Sequence, residues 1–239
     1  MALIDNLQGY FKCDESSGDA TDSSGNGNTL TNNNTATYVG GIINNGFNLV
    51  ATSSQWFSRT DANLVGLDLE ATNFTINSWV KFASLPSTDT SRFIVSKQNS
   101  ASRQYSLFVQ DASGTRYIST DIGNGDTYRV WDFSTGVWYM VTVRYTNSTK
   151  NVDFSVNATA QGATFTAANT LPGGTAPFRI GAGFGDARFF DGQIDEVGVW
   201  DRRLTDAEIT ELYNAGAGLQ YPFSVAPAFS RNATMFNVF

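Results

Sequence analysis

The feature that most constrains this chain is a repeated alternation of short β-prone runs with turns rich in Gly, Asn, Ser and Asp. The turns include Ser23–Ser24–Gly25–Asn26–Gly27–Asn28, Gly40–Gly41, Asn44–Asn45–Gly46, Gly123–Asn124–Gly125–Asp126 and Gly173–Gly174. Asn and Gly reach the positive φ of tight turns at least steric cost. Between turns the side chains alternate with a period of two. Phe74, Ile76, Ser78 and Val80 point one way, and Thr75, Asn77, Trp79 and Lys81 the other. Residues 138–145, 152–156 and 178–180 read as further strands, as does the run Tyr10–Phe11–Lys12–Cys13. Many short strands at this spacing predict an all-β, two-sheet antiparallel jelly-roll sandwich. Such sandwiches run to about 200–250 residues as one domain, so 239 residues fit a single one.

One short helix is predicted near the C-terminus, over residues 204–213. Thr205 and Glu208 have the spacing of a capping box, and Leu204 and Ile209 that of a hydrophobic staple. Ile209, Leu212 and Tyr213 form its apolar face, and Gly216 is the expected stop. The domain is therefore bounded at 1–218. Residues 219–239 differ in character, with Pro222, Pro227 and four phenylalanines. They read either as a final strand packed on the domain or as an apolar arm docking on a partner, a second copy included.

Charge excludes some functions. The net charge is −7 and the 15 basic residues are scattered, which argues against a nucleic-acid partner. The chain has no histidine, the commonest general base and metal ligand. A bound metal would need oxygen ligands, which points to Ca2+. Cys13 is the single cysteine, expected as a small buried apolar side chain. The start MALIDNLQGYF lacks a basic n-region and an apolar h-region, so no signal peptide is expected. No apolar run approaches the roughly 18 residues of a membrane span.

Taken in order, several segments resemble laminin G-like jelly-roll domains of the concanavalin A-like lectin/glucanase superfamily. They are Tyr10–Phe11–Lys12 with Asp14–Glu15–Ser16–Ser17–Gly18, the loop 20–28, Phe74–Thr75–Ile76–Asn77–Ser78–Trp79–Val80–Lys81, Ile94–Val95–Ser96–Lys97, and Phe190–Asp191–Gly192–Gln193–Ile194–Asp195–Glu196–Val197. The resemblance runs over roughly residues 5–218. Cys13 and Asn157–Ala158 depart from it, which affects packing or a turn more than any site. Because the superfamily holds lectins, adhesion modules, enzyme accessory domains and virion proteins, it fixes fold more than function.

Two sets of site residues stand out. Asp22, Asn26 and Asn28 lie in a glycine-punctuated loop that can fold back as an oxygen cage, or form a plain Asx-rich turn. The resemblance implies that Asp195 neighbours this loop and that a structural Ca2+ often sits between them. For sugar binding, which needs aromatic platforms beside polar groups, Tyr117, Tyr128, Arg129 and Trp131 cluster with Arg116, each with core packing as the alternative. Trp56 and Phe189 with Arg188 are further loop candidates.

Catalysis is not expected. Glycoside cleavage takes a pair of carboxyl groups flanking the bond. Of Glu15, Glu70, Glu196, Glu208 and Glu211 only the last two are close, and the cap uses Glu208. Asp195 and Glu196, as strand neighbours, are expected on opposite faces. The expectation is a non-catalytic binding or adhesion module, lectin-like toward glycans. Its location would be a virion surface, as a phage decoration or fibre protein, or another extracellular surface, with a virion protein as alternative partner. A bacterial carbohydrate-binding accessory domain is the alternative, and a glycoside hydrolase the weakest reading.

Overall fold

Alternation along residues 74–82 sorts side chains between two separate apolar clusters, and the layers of the molecule follow from that. Phe74, Ile76 and Val80 enter a large core, while Trp79 joins a smaller one on the opposite face of the same strand. The computed structural model describes residues 1–223. Among these, the strands are β1 (Leu7–Phe11), β2 (Thr31–Asn33), β3 (Thr37–Gly40), β4 (Asn45–Leu49) and β5 (Trp56–Arg59). The long central ones are β6 (Phe74–Phe82), β7 (Ser91–Gln98), β8 (Arg103–Ala112), β9 (Thr115–Ile122), β10 (Gly125–Val130) and β11 (Trp138–Thr146). Then come β12 (Asn151–Val156), β13 (Thr159–Ala160), β14 (Phe165–Thr166), β15 (Phe178–Ile180) and β16 (Gly192–Trp200).

These strands form two antiparallel sheets, a jelly-roll sandwich. One sheet has nine strands in the order β13-β12-β11-β6-β16-β4-β3, with β1 also paired to β16 and β14 to β12. The other has seven, in the order β10-β9-β8-β7-β15-β5-β2. The large core lies between them, built from Phe47, Ile76, Val80, Ile94, Leu107, Val143, Ile180 and Val199 among others. Phe47 of one sheet stacks on Phe57 of the other with ring centroids 3.9 Å apart. The turn between β9 and β10 shows the local logic. Gly123 (φ 56°) and Asn124 (φ 66°) both take positive φ, the two-residue loop whose twist matches an antiparallel pair.

The helix α1 (Asp206–Tyr213) lies over the outer face of the nine-stranded sheet. Thr205 caps it, and both arms of the capping box with Glu208 are formed. Leu204, Ile209 and Leu212 are buried against Trp79, Met140 and Trp200 in the second cluster. Burying a leucine or isoleucine is worth about 1.5–3 kcal/mol, so packing rather than propensity holds this two-turn helix. Its stop differs from the expectation. Asn214 ends the helix in the left-handed region (φ 47°), two residues before Gly216, because asparagine tolerates that conformation.

Two other expectations change. The first strand ends at Phe11, and Cys13 has φ 61°, outside any strand, although it is buried as expected. Burial, and after it the nearby Asp195, raise its thiol pKa well above the ordinary value, so it stays protonated. Past Gly218 the chain folds back on the domain. Leu219, Tyr221 and Phe223 pack on the second cluster, Tyr221 and Phe223 lying 5.5 and 5.2 Å from the Tyr10 ring, without forming a strand. The remainder of the expected arm, residues 224–239, lies outside the described residues.

Candidate ligand-binding face

The outer face of the seven-stranded sheet carries the candidate site, and register decides which side chains reach it. On β8, Tyr105, Leu107 and Val109 enter the core, so Ser106, Phe108 and Gln110 face outward. On β9, Ile118 and Ile122 point inward and Tyr117, Ser119 and Asp121 outward. On β10, Asp126, Tyr128 and Val130 pair with those three outward residues. Phe93 and Phe108 stack at 4.4 Å on this face and are roofed by the 181–191 loop. A Cβ at Gly183 of that loop would meet the Phe93 ring at 3.0 Å, so glycine permits the approach.

Beside this roof lies an open cavity of about 520 Å³, lined in part by Ser91, Arg92, Arg103, Gln110, Asp126 and Arg188. Arg103 Nη1 sits 3.4 Å from both Asp121 Oδ1 and Asp126 Oδ1. Burial, then the bond and charge of Asp126, push the Asp121 carboxyl up to about 7. The cavity is open and polar, with charge of both signs, and Tyr117 stands next to it through its pairing with Gln110.

The four predicted sugar-binding residues divide. Tyr117 and Tyr128 meet on the cavity side of the sheet, and Tyr128 is 46% exposed. Arg129 and Trp131 do not join them, because alternation turns odd positions of this strand to the other face. Arg129 lies over the Phe165 ring at 3.3 Å and donates to the Ala163 carbonyl. Trp131 packs against Phe133 at the edge of the large core. The expectation for these two is corrected. Sequence reasoning passed over Gln110 and Arg103, although period two on β8 would have placed Gln110 outward.

The residues expected to hold calcium fall into two hydrogen-bonded groups with no shared partner. Asp22 Oδ1 accepts from the N–H of Tyr10 (3.0 Å) and Ser24 (2.9 Å), and Oδ2 from Asn28 N (2.9 Å). Asn28 Oδ1 accepts from Val65 N, and the Asn26 amide donates to the carbonyls of Leu7 and Gln8. The loop thus packs beside β1 as an Asx-type turn. Asp195 accepts instead from the N–H groups of Ile42, Ile43 and Glu196. Carboxylate and amide oxygens surrounded by N–H donors are a poor fit to a cation, which needs several free oxygens. Among the described residues no group of three or more Cys, Asp and Glu side chains is arranged to hold a metal.

Asp195 and Glu196 also depart from expectation. The register of β16 on β6 shifts between Asp195 and Gly198, and Glu196 takes φ 48°. Ile194, Val197 and Val199 all enter the core, so this bulge turns both carboxyl groups outward together. Tyr10 donates its hydroxyl to Glu196 Oε2. Burial raises Asp195 to about 9 and Glu196 to about 8. Repulsion from Glu196 adds to the rise on Asp195, against the pull of its three N–H donors. Raised carboxyl groups in a cleft are catalytic candidates, but these are 0% and 2% exposed, beyond reach of a substrate. Glu208 is likewise engaged, its two oxygens 2.7 and 3.0 Å from the Arg202 guanidinium.

A two-sheet jelly roll with a polar, aromatic-edged outer face defines a lectin-like sandwich. Residues 51–210 match a family model described as the concanavalin A-like lectin/glucanases superfamily, of laminin G type. The chain belongs to that superfamily. Among solved structures, it is similar to the receptor-binding domain of botulinum neurotoxin mosaic serotype C/D. The TM-score is 0.67 at 14% identity, covering 90% of this chain and 52% of that one. It is similar to the binding domain of Paraclostridial Mosquitocidal Protein 1, with TM-score 0.67, 15% identity, and 90% and 53% coverage. A third is domain 4 of AbnA, a GH43 extracellular arabinanase from Geobacillus stearothermophilus, in complex with arabinotriose. There the TM-score is 0.63 at 21% identity, covering 86% of this chain and 97% of that one. The chain spans about half the length of the first two of these domains, and at these identities the likeness is one of fold. Among curated proteins none matches the sequence.

Proposed function

We propose that this domain is a non-catalytic glycan-binding module and that its ligand lies on the outer face of the seven-stranded sheet. The observation that carries the reading is the Tyr117–Tyr128 pair on the same face as the cavity between Arg103, Gln110 and Asp126. Sugars present CH faces that stack on aromatic rings and hydroxyls that pair with amides, carboxylates and guanidinium groups. Fold relatives that include an arabinanase domain solved in complex with arabinotriose support it. A binding role accords with the burial of Asp195 and Glu196 and with the pairing of Glu208 to Arg202. A glycan array with the wild-type chain and Tyr128→Ala tests the reading. Saturable binding of at least one glycan class that the variant loses is expected, and an array with no binding sinks it.

The finer assignment is display on an extracellular or virion surface, as decoration or fibre. It rests on the phenylalanine-bearing segment 219–239 as an attachment element, of which 224–239 lie outside the described residues. Among the described residues no helix is long and apolar enough to cross a membrane. Removing 224–239 and measuring co-assembly with virion proteins tests this assignment. Unchanged assembly would remove the attachment role.

A further inference from the structure

Strand register lays one row of side chains across the outer face of the nine-stranded sheet. Trp138 of β11 pairs with Lys81 of β6, Lys81 with Gln193 of β16, Gln193 with Asn48 of β4, and Asn48 with Thr37 of β3. Parity turns all five outward, because their strand neighbours Val80, Ile194 and Phe47 enter the large core and Tyr38 and Tyr139 pack on it. Directly paired side chains touch one another, and five strands at about 4.8 Å spacing make the row roughly 19 Å long. Thr37 is exposed, and Asn48, Lys81 and Trp138 are half-buried. An open cavity of about 440 Å³ lies on the row, lined in part by Asn48, Lys81, Gln193 and Thr135.

The polar groups of this row keep unspent bonds of both kinds among the described residues. Lys81 has no carboxylate partner, and its ammonium lies 5.0 Å from the Trp138 ring centroid. Gln193 gives its Nε2 to the Gly40 carbonyl, which leaves Oε1 buried without a partner. Asn48 gives its Nδ2 to Thr37 Oγ1, so its own Oδ1 and the Thr37 hydroxyl proton are left over. An anion would call for donors alone and a metal ion for acceptors alone. A sugar hydroxyl donates and accepts at once, so alternating donors and acceptors match a neutral, hydroxyl-rich ligand. No acidic side chain lines the cavity, and a single lysine resting on an indole does not select an anion. The indole also ends the row with an apolar surface for the CH groups of a sugar.

We infer that this row is a second glycan site, which takes a neutral oligosaccharide laid across the strands from Trp138 to Thr37. The length of the row calls for several linked sugars. The Lys81 side chain, tied only to a ring, swings on its flexible stem and opens Gln193 Oε1 to a sugar hydroxyl. This site lies on the opposite side of the sandwich from the Tyr117–Tyr128 pair and does not depend on that reading. With both sites filled, one chain bridges two glycans.

The test uses the whole chain on an array of neutral and charged oligosaccharides, with wild type, Lys81→Met, Asn48→Ala and Tyr128→Ala. Lys81→Met keeps an apolar stem against Trp138 and is expected to melt with the wild type, so it carries the test alone if Asn48→Ala is unstable. The expected result is at least one neutral oligosaccharide whose binding falls about tenfold in Lys81→Met, the loss of one bond to a charged group. Tyr128→Ala should leave that binding unchanged, and added salt should barely alter it. Binding that Tyr128→Ala removes and both row variants leave intact overturns the inference and keeps the first site. Binding that only the row variants weaken supports the second site and removes the first. Row binding confined to charged glycans, or equal affinity for the free monosaccharide, overturns the inference too. An array with no binder overturns both.

Discussion

The rings of Tyr117 and Tyr128 meet edge to face across β9 and β10, their centroids 4.9 Å apart and their planes inclined by 71°. Tyr128 is 46% exposed, so its ring is available to a ligand and adds little to the core. Tyr128→Ala is expected to weaken glycan binding by about 1 kcal/mol or more, the scale of a lost aromatic contact. Its melting temperature should stay within about 2 °C of wild type. Calorimetric titration and thermal melting on the same samples check both halves.

The Asp22 carboxylate accepts three backbone N–H groups, which predicts a structural role without an ion. Asp22→Ala would strand those donors and should cost about 1–3 kcal/mol in urea unfolding. The wild-type melting temperature should be the same in EDTA and in millimolar calcium. A rise of several degrees with calcium would show that the loop rearranges around a cation.

The buried carboxyl groups predict an unusual pH profile. Asp121, Glu196 and Asp195 have folded pKa values of about 7, 8 and 9, against about 4 in an unfolded chain. Between those limits the folded state binds more protons, so stability falls as pH rises. The contribution is complete near pH 4 and lost as pH passes through 7–9. The melting temperature should therefore be higher at pH 5.5 than at pH 9. Glu196→Gln, which keeps an acceptor for Tyr10 but cannot ionise, should flatten the slope between about pH 5 and 8. A profile rising toward pH 9 would contradict the protonated pair.

The Arg202–Glu208 pair joins the helix to the N-terminal segment. Arg202 also donates to the carbonyls of Ala2 and Asp5, and both side chains are about one-tenth exposed. Burial tends to raise the Glu208 pKa, but its bonds from Arg202 and Thr205 hold it below the usual range. Glu208→Ala leaves a buried guanidinium uncompensated and should cost about 3–5 kcal/mol. Thr205→Ala removes only the cap and should cost about 1 kcal/mol. Chemical denaturation of the two variants checks this ranking.

Much of the architecture was legible along the chain because it depends on local periodicity. Alternation at residues 74–81, turn chemistry at Gly123–Asn124 and the Thr205–Glu208 box each act within a few residues. The tyrosine pair was accessible in the same way, since Tyr117 and Tyr128 flank a hairpin. Arg129 and Trp131 were misplaced because proximity in sequence was given more weight than strand parity, which sends odd positions of β10 and the residue after it to the inner side.

Sequence alone determined that this chain forms an antiparallel sandwich with one capped helix, because side-chain period, turn residues and capping are short-range effects. Only the tertiary structure decided the sites. A bulge at Asp195–Glu196 turned two carboxyl groups to one face, and backbone N–H groups distant in sequence occupied the Asp22 and Asp195 oxygens. Loop 181–191 folded over the outer face of β7, where the N–H of Phe93 donates to the Arg188 carbonyl. Hydrogen-bond partners and charge neighbours of this kind are set by long-range strand order, which no local pattern encodes.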